Sequence, residues 1–349
     1  MRIWIDALTP KQANLFSVLV PRLVANGHEA YVTSRHYREV EQLLQIRGTK
    51  ATVIGRHGGA DLPTKLAESS KRITELAGFV IHRKPDLVIS CCSPEAARVA
   101  YGLHIPHYAI CDSPHAEAVC RLTLPLSREL FTPRVIPKRA WKRYGVASSD
   151  IIQYNALDPV VWIREYASSS FMEPSGLVSE KPIVLLRPEE EYASYLQTAT
   201  TRKTIAAQLA RALSKLSAHV IVLPRYEKQV EVLTSELAGV ASVLPNVVDA
   251  IALYSRCSAF VGAGGTMSAE AALMGVPTIS CYPSEPTYVD KYLFKLKLAE
   301  RVLSVDRAVD RVRRFLVDPK LAIRQKEKAD RVLAKMEDPL QVIMTHLGV

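Results

Sequence analysis

The chain of 349 residues has no apolar run of about 18 residues, the length needed to cross a membrane as a helix, so membrane-embedded functions are set aside at once. Its amino terminus, Met1-Arg2-Ile3-Trp4-Ile5-Asp6, enters a strand directly, and the expectation is a cytoplasmic chain without a signal peptide. The six cysteines, at 91, 92, 111, 120, 257 and 281, lack paired metal-ligand spacing. Cys91, Cys111 and Cys281 end apolar runs, where cysteine acts as a small buried hydrophobe, so reduced thiols are expected rather than disulfides. No Asp-x-Asp motif is present, so the sequence requires no divalent ion. No nucleic-acid-binding module accompanies the positive charge, which argues against a nucleic-acid partner.

What is present is positive charge and alternation. Lys and Arg number 45 against 35 Asp and Glu, a formal net charge of +10. Such a balance attracts phosphates, anionic lipids or small anionic substrates without choosing among them. The length predicts two domains of roughly 150 to 180 residues.

From the start, short apolar strands alternate with helical patterns. Arg2–Asp6 is followed by a helix opening at Thr9-Pro10, with Leu15, Phe16, Leu19, Val20 and Leu23 at helical spacing. A strand at 29–33 completes a β-α-β unit, which implies parallel pairing and a right-handed crossover. Helices near 36–46, 63–82 and 94–101 alternate with strands at 51–54, 86–90, 107–111 and 151–154. The prediction is a doubly wound α/β domain. Ligands of such sheets bind outside the carboxyl ends of the strands. Asp6, Ser90 to Pro94, and Asp112 with Ser113, Pro114 and His115 are therefore expected along one rim. Asp6 and Asp112 read equally as local capping or loop-bonding groups.

Residues 128–145 mix six basic side chains with Phe131, Trp141 and Tyr144. They read as a solvated crossover segment with one or two buried aromatics, and secondarily as a peripheral membrane contact. A serine-rich, aperiodic stretch at 166–180 is the expected linker. A second α/β series then begins at Pro182-Ile-Val-Leu-Leu186, ending in Arg187-Pro188-Glu189. It continues with a helix at 201–216, a strand at 219–223 ending in Pro224-Arg225, and a helix near 228–238. A charged helical tail broken at Asp318-Pro319 and Asp338-Pro339 ends the chain.

The second half holds the most informative stretch, Val261-Gly-Ala-Gly-Gly-Thr-Met-Ser-Ala-Glu-Ala-Ala-Leu-Met-Gly-Val-Pro277. A buried strand runs into a glycine turn, and a helix of small residues follows, with Thr266 expected as its cap. Unpaired amides and the positive dipole end at such a junction suit a phosphate or diphosphate.

This stretch resembles the donor-nucleotide motif of GT-B glycosyltransferases. It is similar above all to the lipid-linked N-acetylglucosaminyltransferase of peptidoglycan synthesis and to the non-hydrolysing UDP-N-acetylglucosamine 2-epimerases. The whole chain is similar to an uncharacterised, largely archaeal family related to both (domain of unknown function 354). The resemblance is carried by Trp4-Ile-Asp6, Leu185-Leu-Arg-Pro188, the Asp249 segment and the run Gly264 to Pro277. It implies two Rossmann-like domains facing across a cleft, residues 1–165 on the acceptor side and 181–320 on the nucleotide side. The tail, 321–349, would pack back on the first. Residue by residue, it implies that Gly264, Gly265 and Thr266 hold a diphosphate through backbone amides and that Glu270 binds ribose hydroxyls. Arg187, and more weakly Arg225, would neutralise the diphosphate.

The implied activity is metal-independent transfer of a sugar from a nucleotide-diphosphate sugar, as substrate rather than cofactor, to an unidentified acceptor. A lipid-linked acceptor would place the protein at the inner membrane face. Asp6 or Asp112 would be the base, with His115 in reserve. The alternatives are a UDP-N-acetylglucosamine 2-epimerase or a non-catalytic sugar-nucleotide-binding protein. The loop after the first strand, Asp6 to Asn14, departs from the transferase pattern in lacking glycine and histidine, and the epimerases' catalytic acids and histidine have no clear counterpart.

Overall fold

Each apolar run in the first half is followed by a helical pattern, so each strand can return only parallel to its predecessor. A computed structural model describes residues 1–59, 61–167, 179–188 and 205–349. Its first elements are β1 (Arg2–Ala7), α1 (Pro10–Ala25), β2 (Glu29–His36), α2 (Arg38–Ile46), β3 (Ala51–Arg56), α3 (Leu62–Arg83), β4 (Leu87–Ser90) and α4 (Pro94–Gly102). They continue with β5 (His107–Ile110), α5 (Glu117–Thr123), β6 (Glu129–Pro133), α6 (Arg139–Lys142), β7 (Ile151–Tyr154) and α7 (Val160–Tyr166). The seven strands form one parallel sheet in the order β3-β2-β1-β4-β5-β6-β7. Central β1 is buried from Ile3 to Ala7, as a strand covered on both faces must be. Its Trp4 is satisfied by donation from Nε1 to Thr33 Oγ1 at 2.7 Å.

Residues 128–145 are not a solvated crossover. They begin with β6, which pairs with both β5 and β7, and Phe131, Trp141 and Tyr144 are all buried. Arg134, Arg139, Lys142 and Arg143 point outward, so the basic-aromatic mixture is an inside–outside alternation. Pro133 stands last in β6, where its missing N–H disturbs the ladder least.

The second half supplies β8 (Ile183–Arg187), α8 (Ile205–Leu213), β9 (His219–Val222), α9 (Glu227–Glu236), β10 (Ser242–Val243), α10 (Ala250–Tyr254), β11 (Cys257–Gly262) and α11 (Thr266–Leu273). It ends with β12 (Thr278–Ser280), α12 (Tyr288–Lys295), β13 (Ala299–Arg301), α13 (Val305–Val317), α14 (Pro319–Leu333) and α15 (Pro339–Leu347). Its six strands are also parallel, in the order β10-β9-β8-β11-β12-β13. Most of the expected linker, Glu189 and the expected helix start at Thr201 lie outside the described residues.

The chain divides into two units: Met1–Trp162 with Glu337–Val349, and Ile163–Met336. The C-terminal helix α15 thus belongs with the first unit. Leu340, Ile343 and Met344 bury its apolar face. Asp338 meets Arg22 at 2.6 Å, and His346 lies 2.9 Å from Glu129 and edge-on to Phe131. Both helix breaks in the tail act as start signals, because the Asp318 and Asp338 side chains accept amides at their N-caps with proline next in line. Among the described residues all six cysteines are free thiols, with Cys111 and Cys281 buried and Cys91 half-buried. No helix among the described residues is long and apolar enough to cross a membrane.

Candidate functional site

In the second sheet, strand order reverses between β8 and β11, since β9 and β10 lie to one side and β12 and β13 to the other. Helices leave to opposite faces at such a reversal, and a crevice opens outside the carboxyl ends of the two strands. Parallel register sets Arg187, the last residue of β8, directly beside Gly262, the last residue of β11. Arg187 is 8% exposed, and its Nη1 donates to the carbonyls of Leu223 and Pro224, each at 3.0 Å. These bonds moor a buried cation at the rim, beside the glycine turn.

That turn needs glycine at two positions. Gly264 and Gly265 have φ of +79° and +80°, a region costly for residues with a Cβ. Gly265 is the N-cap of α11, and no side chain caps the helix. Thr266 does not cap it, contrary to the expectation from sequence. It is the first helical residue, one position too late for its hydroxyl to fold back onto the first-turn amides. Those amides are therefore left for an external acceptor. Ser268, in the same first turn, is 2% exposed, and its Oγ has no hydrogen-bond partner among the described residues.

Glu270 is 3% exposed, one turn further on. Its Oε2 lies 3.0 Å from the Tyr254 hydroxyl, which is also 3.2 Å from the Met267 carbonyl, so one proton serves two acceptors. Burial, then the Glu270 charge, pushes the Tyr254 phenol well above its ordinary range, while Arg187 pulls the other way. Arg187 is thus within electrostatic reach of the Tyr254–Glu270 pair. Arg187, the Gly264–Thr266 turn and Glu270 come together at one rim. Arg225 stands at the end of the neighbouring strand, half-buried, with its Nε 3.4 Å from the Pro188 carbonyl.

In the first unit the sequence-derived acids fall into two networks. Asp6 is wholly buried and held bidentately by Arg72, at 2.6 Å and 3.0 Å, with Thr33 donating at 2.6 Å. Burial opposes its charge, but Arg72, Thr33 and Ser93 outweigh burial and hold the carboxyl below the ordinary range.

Asp112 belongs elsewhere. Lys11 Nζ lies 2.6 Å from Asp112 Oδ2 and 2.6 Å from Asp158 Oδ2. Asp158 is buried and also receives the Tyr154 hydroxyl, whereas the Asp112 side chain keeps 24% of its surface open. Burial works against Lys11, yet the two carboxylates raise its affinity for the proton, so it stays an ammonium. Burial works against Asp112 as well, but Lys11, Ser113 and the nearby His115 bring its carboxyl below the usual range. Asp158, more deeply buried and facing Asp112, is pushed up. His115 is exposed, close enough to act on Asp112.

Lys11, Asp158, Tyr154 and Ser268 escape a sequence reading. Only Lys11 left a signal, being a cation in the first turn of a helix, where the macrodipole disfavours one. Among the described residues, no group of three or more His, Cys, Asp and Glu side chains could hold a metal ion.

The sequence pattern of the family described as "Protein of unknown function (DUF354)" matches residues 1–347. The chain belongs to the DUF354 family. A relative, the uncharacterized protein MJ0665 of Methanocaldococcus jannaschii, is 30% identical over 301 residues, covering 84% of this chain and 85% of that one. Among solved structures, the UDP-GlcNAc 2-epimerase of Neisseria meningitidis bound to UDP-GlcNAc matches with a TM-score of 0.71 at 16% identity, covering 99% of each chain. A glycosyltransferase of kitacinnamycin matches with a TM-score of 0.64 at 15% identity, covering 100% of this chain and 99% of that one. This DUF354 chain therefore has the GT-B fold, α/β with two parallel sheets, which it shares with epimerases and glycosyltransferases alike.

Proposed function

We propose that this DUF354 protein binds a nucleoside-diphosphate sugar, with UDP as the first candidate, on its second unit and transfers the sugar to a hydroxyl acceptor. One observation carries the reading: a buried arginine lies in register beside a glycine turn that opens an uncapped helix, with Glu270 on that same helix. The amides of Gly265, Thr266 and Met267 and the Arg187 guanidinium suit a diphosphate, and most of all the charge that grows on it as the anomeric C–O bond breaks. The Glu270 carboxylate, oriented by Tyr254, is of the chemistry that accepts from vicinal ribose hydroxyls in charge-assisted bonds. No step of this scheme calls on a metal ion.

On the first unit, Asp112 is the group with the geometry of a base. It is ionised, partly open and steadied by Lys11, while both oxygens of Asp6 are engaged inside the protein. As the new bond forms, the acceptor hydroxyl passes its proton to Asp112, the sugar carbon takes the oxygen, and the nucleoside diphosphate leaves with the old bonding pair.

Calorimetry with UDP tests the nucleotide reading, and absence of binding sinks it. Release of UDP from UDP-sugars offered with hydroxyl acceptors tests the chemistry. Asp112→Asn is expected to slow turnover by about 10²–10⁴-fold while leaving UDP affinity intact; unchanged turnover would reject Asp112 as the base.

The higher TM-score of the epimerase favours a second reading, 2-epimerisation. Incubation with UDP-N-acetylglucosamine alone decides it, because an epimerase needs no acceptor and a transferase leaves that sugar unchanged.

A further inference from the structure

We propose that the first unit carries an oxyanion site of its own, built on Arg35 and His57, that takes a carboxylate or phosphate group. This deepens the transferase reading by giving the acceptor a negatively charged group, and it rests on that reading only for the word acceptor.

Arg35 sits near the carboxyl end of β2, one strand from the reversal between β1 and β4. It follows Thr33 by two residues and so shares its face of the sheet, the face that Arg72 reaches from α3 to hold Asp6. The Nε of Arg35 is sealed from solvent and has no hydrogen-bond partner among the described residues. Burying a guanidinium N–H without a partner is costly, and the carboxylates around it are already engaged. Asp6 is taken by Arg72 and Thr33. Glu95 accepts from Ser69 at 2.7 Å and Ser93 at 3.4 Å, with Arg72 at 3.9 Å. Burial, with the Arg72 charge, draws the Arg35 guanidinium below its ordinary value, against the opposing pull of Glu95, Asp6 and Tyr37. A guanidinium nevertheless keeps its charge in proteins, so local positive charge persists. The residue as a whole keeps some solvent exposure.

His57 supplies the neutral donor. Its Nδ1 accepts from the Gly59 amide at 3.1 Å, which places the ring proton on Nε2. Burial, then the charges of Arg35 and Lys65, pushes its pKa down to about 4, so at neutral pH it offers one N–H and no added charge. The ring is stacked on Tyr37 with centroids 5.2 Å apart. A Cβ on Gly58 would meet the Lys65 backbone at 2.5 Å, so this loop is pressed against the start of α3 and His57 is held in place. The Arg35 guanidinium lies near enough for its charge to act on His57, and a planar fork with an N–H close by suits an oxyanion with two or three acceptor oxygens.

The test uses the full chain saturated with UDP, so that the glycine turn is occupied, and follows melting temperature while inorganic phosphate or glucuronate is titrated in. Saturable stabilisation is expected from one of the two, and the one acting at lower concentration names phosphate or carboxylate as the group. Arg35→Gln should weaken that response by at least about tenfold, and Arg35→Lys by less, with UDP affinity unchanged in both. The proposal is overturned if neither probe stabilises the UDP-loaded protein, or if the Arg35 variants titrate like wild type. Should Arg35→Gln fail to fold, Arg35→Lys and His57→Ala decide it in the same way. Should UDP itself fail to bind, the nucleotide reading falls, while the comparison between variants still reads the Arg35 site.

Discussion

The two sheets reverse strand order at equivalent places, and the loops there have equal length and opposite character. In the first unit β4 ends at Ser90, and the helix that follows has Ser93 as its N-cap; in the second, β11 ends at Gly262 and the N-cap is Gly265. The residue before each cap has positive φ, +55° at Cys92 and +79° at Gly264. Register sets Asp6 beside Ser90 and Arg187 beside Gly262. The first helix start is closed by its own chain: Ser93 accepts the Ala96 amide at 3.1 Å, and Glu95 adds negative charge in the first turn. The second is open, with a glycine cap and a cation alongside. One backbone geometry thus makes an internal polar lock in one unit and an uncapped helix start beside a cation in the other, the proposed anion cradle, and the side chains on and beside the turn make the difference.

Breaking the lock has the largest expected effect. Arg72→Met leaves the buried Asp6 charge without its cation and should cost about 3–5 kcal/mol, read by urea denaturation; a loss below 1 kcal/mol would mean that the pair is not structural. Because the folded Asp6 carboxyl lies below its unfolded value of about 3.9, the pair stabilises fully above that pH and is lost as pH falls through the folded value. Arg72→Met should remove that acid sensitivity.

Emptying the cradle comes next. Arg187→Met should weaken UDP binding by about 10- to 100-fold, the loss of a charge-assisted bond of roughly 1.5–3 kcal/mol. The matching change in the lock, Asp6→Asn, should leave UDP affinity as it was. Calorimetry on both variants separates them, and equal losses would dissolve the contrast between the units. Uncapping the closed helix is milder: Ser93→Ala should cost about 1 kcal/mol with no change in UDP binding. Asp158→Asn is expected to be the quietest at neutral pH. Removing its negative charge from beside Asp112 makes Asp112 harder to protonate, so the acidic limb of any transferase pH profile should move to lower pH. A limb that stays in place would show that another group sets it.

The glycine turn and the residues around it were legible because they are nearly local. Gly264, Gly265 and Glu270 lie within one strand–turn–helix, and Arg187 announces itself as a charge ending an apolar strand. The Thr266 cap failed because the helix begins one residue earlier than the side-chain pattern indicates, on a glycine that has no side chain to display a cap. Asp6 and Asp112 looked alike in sequence, each an acid ending a buried strand. They differ in the partner that the fold brings to each, Arg72 from α3 or Lys11 from α1, and in burial, which is complete only at Asp6.

The sequence by itself determined the alternation of strands and helices, the parallel pairing, the glycine turn and the aspartate–proline starts of the last two helices. All of these rest on neighbours within a few residues and on backbone sterics. Tertiary structure alone decided that Lys11 joins Asp112 to Asp158, that the Arg35 Nε is sealed from solvent, and that β6 is part of the sheet. Those facts depend on strand order and register, which bring together residues far apart in the chain, and burial then sets the strength of their charges.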